Sequence, residues 1–156
     1  MHGTIFVRTP STYAHLEEPN VTILASDAAA KSEELSQKFS SFDTIISATG
    51  FEQAAGTGAK RAKEIHRAGE LRAAAGKGRL WFFPWQWGID YDATGDGGGL
   101  IPLFDEQVEV RNLLRERAGK PNVEWTALSV GISMSFRSSR SRALSTGRRT
   151  TSRSEL

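Results

Sequence analysis

Three short clusters in this chain carry polar or glycine residues directly after apolar runs that read as strands. They are Arg8-Thr9, Thr49-Gly50-Phe51 and Pro84-Trp85-Gln86. In open parallel sheets, ligands bind at the carboxyl ends of strands, so these three clusters are where a nucleotide would lie. An arginine at the first of them is suited to a ribose 2′-phosphate, because its guanidinium matches phosphate oxygens and keeps its charge. Taken singly, Arg8 is explained by a solvated surface charge and Gly50 by an ordinary turn. It is the recurrence at three strand ends that points to a site.

Other chemistry is weaker or excluded. The chain has 156 residues and no cysteine, so disulfides, thiol catalysis and zinc–thiolate sites are ruled out. His2, His15 and His66 have no metal-like spacing, and no serine stands in a nucleophile elbow. Asp90-Tyr91-Asp92-Ala93-Thr94-Gly95-Asp96 resembles the start of a calcium loop, but its twelfth position is Ile101 where a glutamate is needed. Gly56-Thr57-Gly58-Ala59-Lys60 has the look of a phosphate-loop fragment without the required spacing. A helix N-terminus accounts for it, and it is the best anion site left in the sequence.

The elements that position these residues follow from periodicity. Ile5-Phe6-Val7, Val21–Ala25, 43–48, Leu80–Phe83 and 124–130 read as strands, and Pro84 should stop the fourth because it cannot donate to a ladder. Leu35, Phe39 and Phe42 give a helical stripe after a cap at Ser26 or Asp27. A second helix spans 57 to about 75, with Ala55, Ala59, Ala62, His66 and Gly69 on one face, where small residues allow close approach to a sheet. A third runs over 103–117, with Pro102 in its first turn. Residues 88–102 form a Gly/Asp-rich loop. Trp81, Phe82 and Phe83 are read as core rather than as a stacking platform. Strands alternating with helices predict an α/β fold with a doubly wound parallel sheet.

Charge divides the chain at about residue 136. Residues 137–156 hold six arginines and one glutamate, leaving residues 1–136 at −3 within a net charge of +2. That Arg/Ser/Thr tail lacks apolar periodicity and is expected to be disordered and solvated; charge alone would let it touch RNA, but nucleic acid is not the expected partner. No apolar run nears the ~20 residues of a membrane span. The N-terminus lacks the features of a signal peptide, so a cytoplasmic location is expected.

Phe42-Asp43-Thr44-Ile45-Ile46-Ser47-Ala48-Thr49-Gly50, Phe82-Phe83-Pro84-Trp85-Gln86-Trp87-Gly88-Ile89-Asp90-Tyr91-Asp92 and Phe104-Asp105-Glu106-Gln107-Val108-Glu109-Val110-Arg111 together resemble the NmrA-like, isoflavone reductase-like family of atypical short-chain dehydrogenase/reductases. The resemblance covers residues 4–136. It implies a Rossmann domain binding NADP(H) and hydride transfer to a small organic substrate. By that resemblance Arg8 matches a phosphate-contacting arginine, and Thr49, Gly50, Phe51, Pro84, Trp85 and Gln86 match cofactor-lining loops. Gln107 stands where the family's reductases carry a lysine that works as acid or base.

Three departures bear on function. The family's first strand and glycine-rich phosphate loop have no counterpart, so the expected fold is an incomplete Rossmann sheet lacking its first strand, truncated at both ends. The missing strand would lie mid-sheet, between the partners of Ile5–Val7 and residues 43–48, and cofactor binding would be weakened or lost with the loop. Gln107 cannot exchange a proton near neutral pH. It falls in a stripe with Leu103, Val110 and Leu114, where it would orient a substrate or serve as a hydrogen-bonded buried amide. About nine residues, 70–78, look like an insertion, and with the tail have the look of a gene-model or splicing artefact. The expected function is an impaired NADP-dependent oxidoreductase homologue. The alternatives are a non-catalytic NAD(P)-sensing regulator with a protein partner, or a truncated product with no independent function.

Overall fold

The computed structural model describes residues 2–26, 30–48, 56–86, 90–95, 102–118 and 122–129. The Arg/Ser tail, the domain boundary at residue 136, and Thr49, Gly50 and Phe51 lie outside the described residues.

The chain runs β1 (Gly3–Val7), a 3-10 helix (Pro10–Leu16), β2 (Val21–Ala25), α1 (Ser32–Phe39), β3 (Thr44–Ile46), α2 (Thr57–Ala74), β4 (Leu80–Phe83), α3 (Tyr91–Thr94), α4 (Pro102–Glu116) and β5 (Val123–Trp125). All described strand pairs named here are parallel: β1 with β2, then β3 with β4 and β4 with β5. The ladder is broken between β1 and β3, giving a two-stranded and a three-stranded sheet. That break falls at the position the family resemblance assigns to a further strand.

Several boundaries differ from expectation for local reasons. α1 begins at Ser32 rather than after Ser26 or Asp27, and its N-cap Lys31 makes no side-chain capping bond. β5 stops at Trp125 instead of reaching residue 130. Its partner strand runs only one residue further, to Phe83: Thr126 N–H donates to the Phe82 carbonyl at 3.1 Å, and Pro84 has no N–H to carry the ladder on. Where a turn was expected after β1, Pro10 opens the seven-residue 3-10 helix, which has no buried residue.

Of the two helical layers that a doubly wound sheet carries, the described residues supply one. Leu35 and Phe39 of α1, Ala62, Ile65 and Ala68 of α2, and Val110 and Leu114 of α4 share a single core with Leu80, Phe82 and Val123 of the sheet. On the opposite face Ile46 and Trp81 are 61% and 48% exposed. The expectation that Trp81 belongs to the core therefore fails in the described structure. Trp81 is one residue out of phase with Leu80 and Phe82, whose side chains alternation sends to the covered face.

Of the small-residue face of α2, Ala59, Ala62, His66 and Gly69 are buried, and Ala55 lies outside the described residues; Ile65 and Ala68 are buried beside them. Gly69 lies so near β5 that a Cβ there would come 2.4 Å from Val123 Cγ2.

Within residues 70–78, Arg72 is built into this packing. Arg72 is 3% exposed. Its Nε donates to the Gly78 carbonyl at 2.8 Å, and its Nη1 to the carbonyls of Phe42 at 2.7 Å and Ser40 at 3.2 Å. Its Nη2 donates to Asp43 Oδ1 at 2.8 Å. One side chain thus ties the end of α2 to the segments leading into β3 and β4.

Two outcomes test this packing by urea unfolding. Gly69→Ala should destabilise by about 1–2 kcal/mol, because overpacking outweighs the helix-propensity gain, and Val123→Ala in the same chain should recover part of the loss. Arg72→Met should cost about 3 kcal/mol by leaving carbonyls unpaired. Asp43→Asn, at a side chain that is 90% exposed, should stay within about 1 kcal/mol.

Candidate functional site

β4 delivers the candidate site. The chain leaves the strand at Phe83, Pro84 is buried, Trp85 is half-buried and Gln86 is 1% exposed. Gln86 turns inward onto α4. Its Nε2 donates to the main-chain carbonyl of Gln107 at 2.8 Å, and its Oε1 accepts from Arg111 Nε at 2.8 Å. The amide expected to line a cofactor is thereby engaged within the protein at both ends.

Arg111 is itself buried. Its Nη1 donates to Asp90 Oδ1 at 3.2 Å and lies 2.7 Å from Asp92 Oδ2. The guanidinium carbon sits 5.7 Å from the Tyr91 ring centroid, within cation–π range. Tyr91 packs edge-on against Phe104. Asp90 caps α3 by accepting from the Asp92 N–H at 3.0 Å. Arg115 grips Asp92 with both Nη atoms, at 2.8 and 2.5 Å.

Electrostatics follow from these pairs. The Arg115 hydrogen bond, aided by Arg111, holds the Asp92 carboxyl down at about 2. Asp92 in turn pushes Arg115 up. Burial pushes the Tyr91 phenol up, partly offset by the Arg111 charge. A carboxyl depressed on folding stabilises the fold above the ordinary aspartate range and loses that contribution as pH falls through about 2.

Of the expected site residues, the structure bonds Gln86 to the main chain of Gln107, with Pro84 and Trp85 directly preceding Gln86, and does not bring Arg8 into hydrogen-bond or ion-pair contact with them. Arg8 is exposed just past β1 and makes no hydrogen bond or ion pair with the described residues. Gln107 is 4% exposed, facing inward as its helical stripe implies. Its amide does not exchange a proton near neutral pH, so the described cluster can bind and orient but has no acid–base group at this position.

The anion site expected at residues 56–60 is already filled. Glu106 Oε1 accepts from the Gly58 N–H at 2.6 Å, placing a carboxylate of α4 on the positive end of α2. Lys60 is drawn to Glu64 at 3.7 Å. The calcium-like run fares similarly: Asp90 and Asp92 are engaged by arginines, and no metal-like acid/His group occurs among the described residues.

Sequence reasoning missed Arg72, Glu106 and Arg111. For Arg111 a signal was present. It follows Gln107 by four residues and sits among Val110 and Leu114, so it is a charge inside an apolar stripe, with Asp90 and Asp92 as upstream counterions.

Parallel strands joined by helices, with a polar cluster at the carboxyl end of β4, define a partial Rossmann-like α/β protein. A curated relative in Gibberella moniliformis, an NmrA-like family domain-containing oxidoreductase, is 38% identical over 122 residues, which is 78% of this chain and 36% of the relative. The chain is thus similar to an NmrA-like oxidoreductase and spans about a third of that relative's length. No family model matches the chain. Two solved structures are similar, each with a TM-score of 0.49. One is the Citrobacter sp. triphenylmethane reductase complexed with NADP(H), at 15% identity over 86% of this chain and 41% of that one. The other is a Burkholderia pseudomallei protein described as exported, at 16% identity over 82% of this chain and 59% of that one. No helix among the described residues is long and apolar enough to cross a membrane.

A solution titration checks the Asp92 arrangement. In an NMR carboxyl titration, Asp92 should titrate near 2, and Arg115→Ala should move it up toward the ordinary aspartate range. A value unmoved by the substitution would show that Arg115 is not the cause.

Proposed function

We propose that this chain carries one wall of an NADP(H) site of the NmrA-like, isoflavone reductase-like oxidoreductase type, in a cytoplasmic protein acting on a small organic substrate. The observation that carries the reading is the β4 end, where Gln86, next to Pro84 and Trp85, is bonded to the helix bearing Gln107 in a chain 38% identical to an NmrA-like oxidoreductase.

The residues fit the cofactor on one side. Arg8, an exposed cation at the end of β1 without a protein partner among the described residues, would pair with a ribose 2′-phosphate. Pro84 and Trp85, with Thr49, Gly50 and Phe51, would line the dinucleotide. Gln86 would serve by holding Trp85 in place, since both ends of its amide are engaged. NADP(H), when bound, supplies or accepts the hydride. Gln107 would orient a substrate polar group and move no proton. With Glu106 on the N-terminus of α2, that helix adds no phosphate contact.

The second reading, a non-catalytic NAD(P)-sensing regulator with a protein partner, is favoured by one observation: the position of the family's lysine is Gln107. Impaired turnover follows from the same residue.

Thermal unfolding with dinucleotides tests the proposal. NADPH at about a hundredfold over its Kd should raise the melting temperature by roughly 5–10 °C, NADH should raise it less, and Arg8→Ala should remove the difference. Binding without NADPH oxidation across a carbonyl and enone panel supports the regulator. No shift with NADPH or NADP sinks the site and leaves a product without independent function.

A further inference from the structure

We propose that Arg111 is the positioning residue of the Pro84–Trp85 edge: acting through Gln86, it fixes the end of β4 against α4 and so sets the surface offered to the cofactor. This rests on the NADP(H) reading above.

The argument begins with the geometry of the grip. Gln86 is held at two points on one helix, the Gln107 carbonyl and the Arg111 side chain, four residues apart. Points one turn apart lie about 6 Å from each other on the same face. A two-point attachment across that span fixes the rotation of the amide as well as its distance from the helix.

The chemistry of the partners permits one orientation. Arg111 only donates, so the amide oxygen must face it. The Gln107 carbonyl only accepts, so the amide nitrogen must face that. Reversing the amide breaks both bonds inside a buried site, where unpaired polar groups are costly. The strand end is therefore keyed to α4 in a single register.

Arg111 is in turn fixed from outside its own helix. Asp90, Asp92 and the Tyr91 ring all belong to the segment beyond β4. They neutralise the guanidinium and turn it away from the role of phosphate ligand, leaving Nε for Gln86. Lysine cannot reproduce this, because a single ammonium does not offer the separate Nε and Nη directions of a guanidinium.

The test compares Arg111→Lys and Arg111→Met with Gly69→Ala, which loosens the fold far from Gln86. Two readouts are used: amide hydrogen exchange without ligand, and NADPH affinity from quenching of tryptophan fluorescence. In both Arg111 variants, exchange at Trp85 and Gln86 should accelerate at least about tenfold relative to Leu80 and Ile65, and NADPH affinity should fall by roughly tenfold. Gly69→Ala should leave affinity within about twofold of wild type. Uniform acceleration across the core, unchanged exchange at Trp85, an unchanged Kd, or an equal loss of affinity in Gly69→Ala would each overturn the assignment of Arg111 while sparing the NADP(H) reading. Wild type that fails to bind NADPH overturns both together.

Discussion

A buried arginine that bonds main-chain carbonyls holds this fold in register. Arg72 reaches the Ser40, Phe42 and Gly78 carbonyls, so it joins three places where the chain changes direction. A guanidinium is suited to this task because it carries five donors in a rigid plane. Its Asp43 partner is exposed and adds little in energy. The weight rests on the carbonyls, which belong to every sequence and cannot be read from residue type. Once Arg72 fixes the entries to β3 and β4, those strands are set beside one another, and the apolar faces of α1, α2 and α4 have a common surface to cover.

The same principle recurs at the other end of the sheet, with a different set of acceptors. Arg111 satisfies itself on a side-chain amide, two carboxylates and an aromatic face. Glu106 supplies the complement, a carboxylate on the N-terminus of α2. A Cβ at Gly58 would come 2.9 Å from that carboxylate and 3.0 Å from Val110 Cγ2, which shows how closely α4 lies on α2. Polar bonds at both ends and alanine contacts in the middle make α2 the axis of the three-stranded half.

How much of this was legible depends on the range of the interaction. Strand cores at Ile5–Val7, Val21–Ala25 and Leu80–Phe83 were visible because β-branched and aromatic runs are local signals, and the α2 face was visible because small residues recur at helical spacing. The break between β1 and β3 was legible only through family resemblance, since nothing within the residues themselves marks it. Strand ends were less legible: β5 stops within one residue of its partner's end, a decision made at Pro84 some forty residues away. Arg72, Glu106 and Arg111 were missed because nearly all their partners lie far off in the chain, up to 48 residues distant for Glu106. For the same reason Gln86 was expected at a cofactor surface, although its neighbours turn it inward.

The break in the ladder divides the molecule into parts of unequal strength. No residue of β1, β2 or the 3-10 helix is fully buried, whereas the other half holds Ala62, Ile65, Ala68, Leu80 and Leu114 at 0% exposure. The halves meet through Phe6, whose ring stands edge-on to Phe39 and Phe42 and beneath the Lys38 ammonium. Local opening should therefore begin in the first 26 residues, and unfolding need not follow one cooperative transition. Arg8 sits on the weaker half, so an anion bound there would draw on binding energy to order its own receptor. Ligand occupancy and integrity of the N-terminal sheet would then be a single equilibrium.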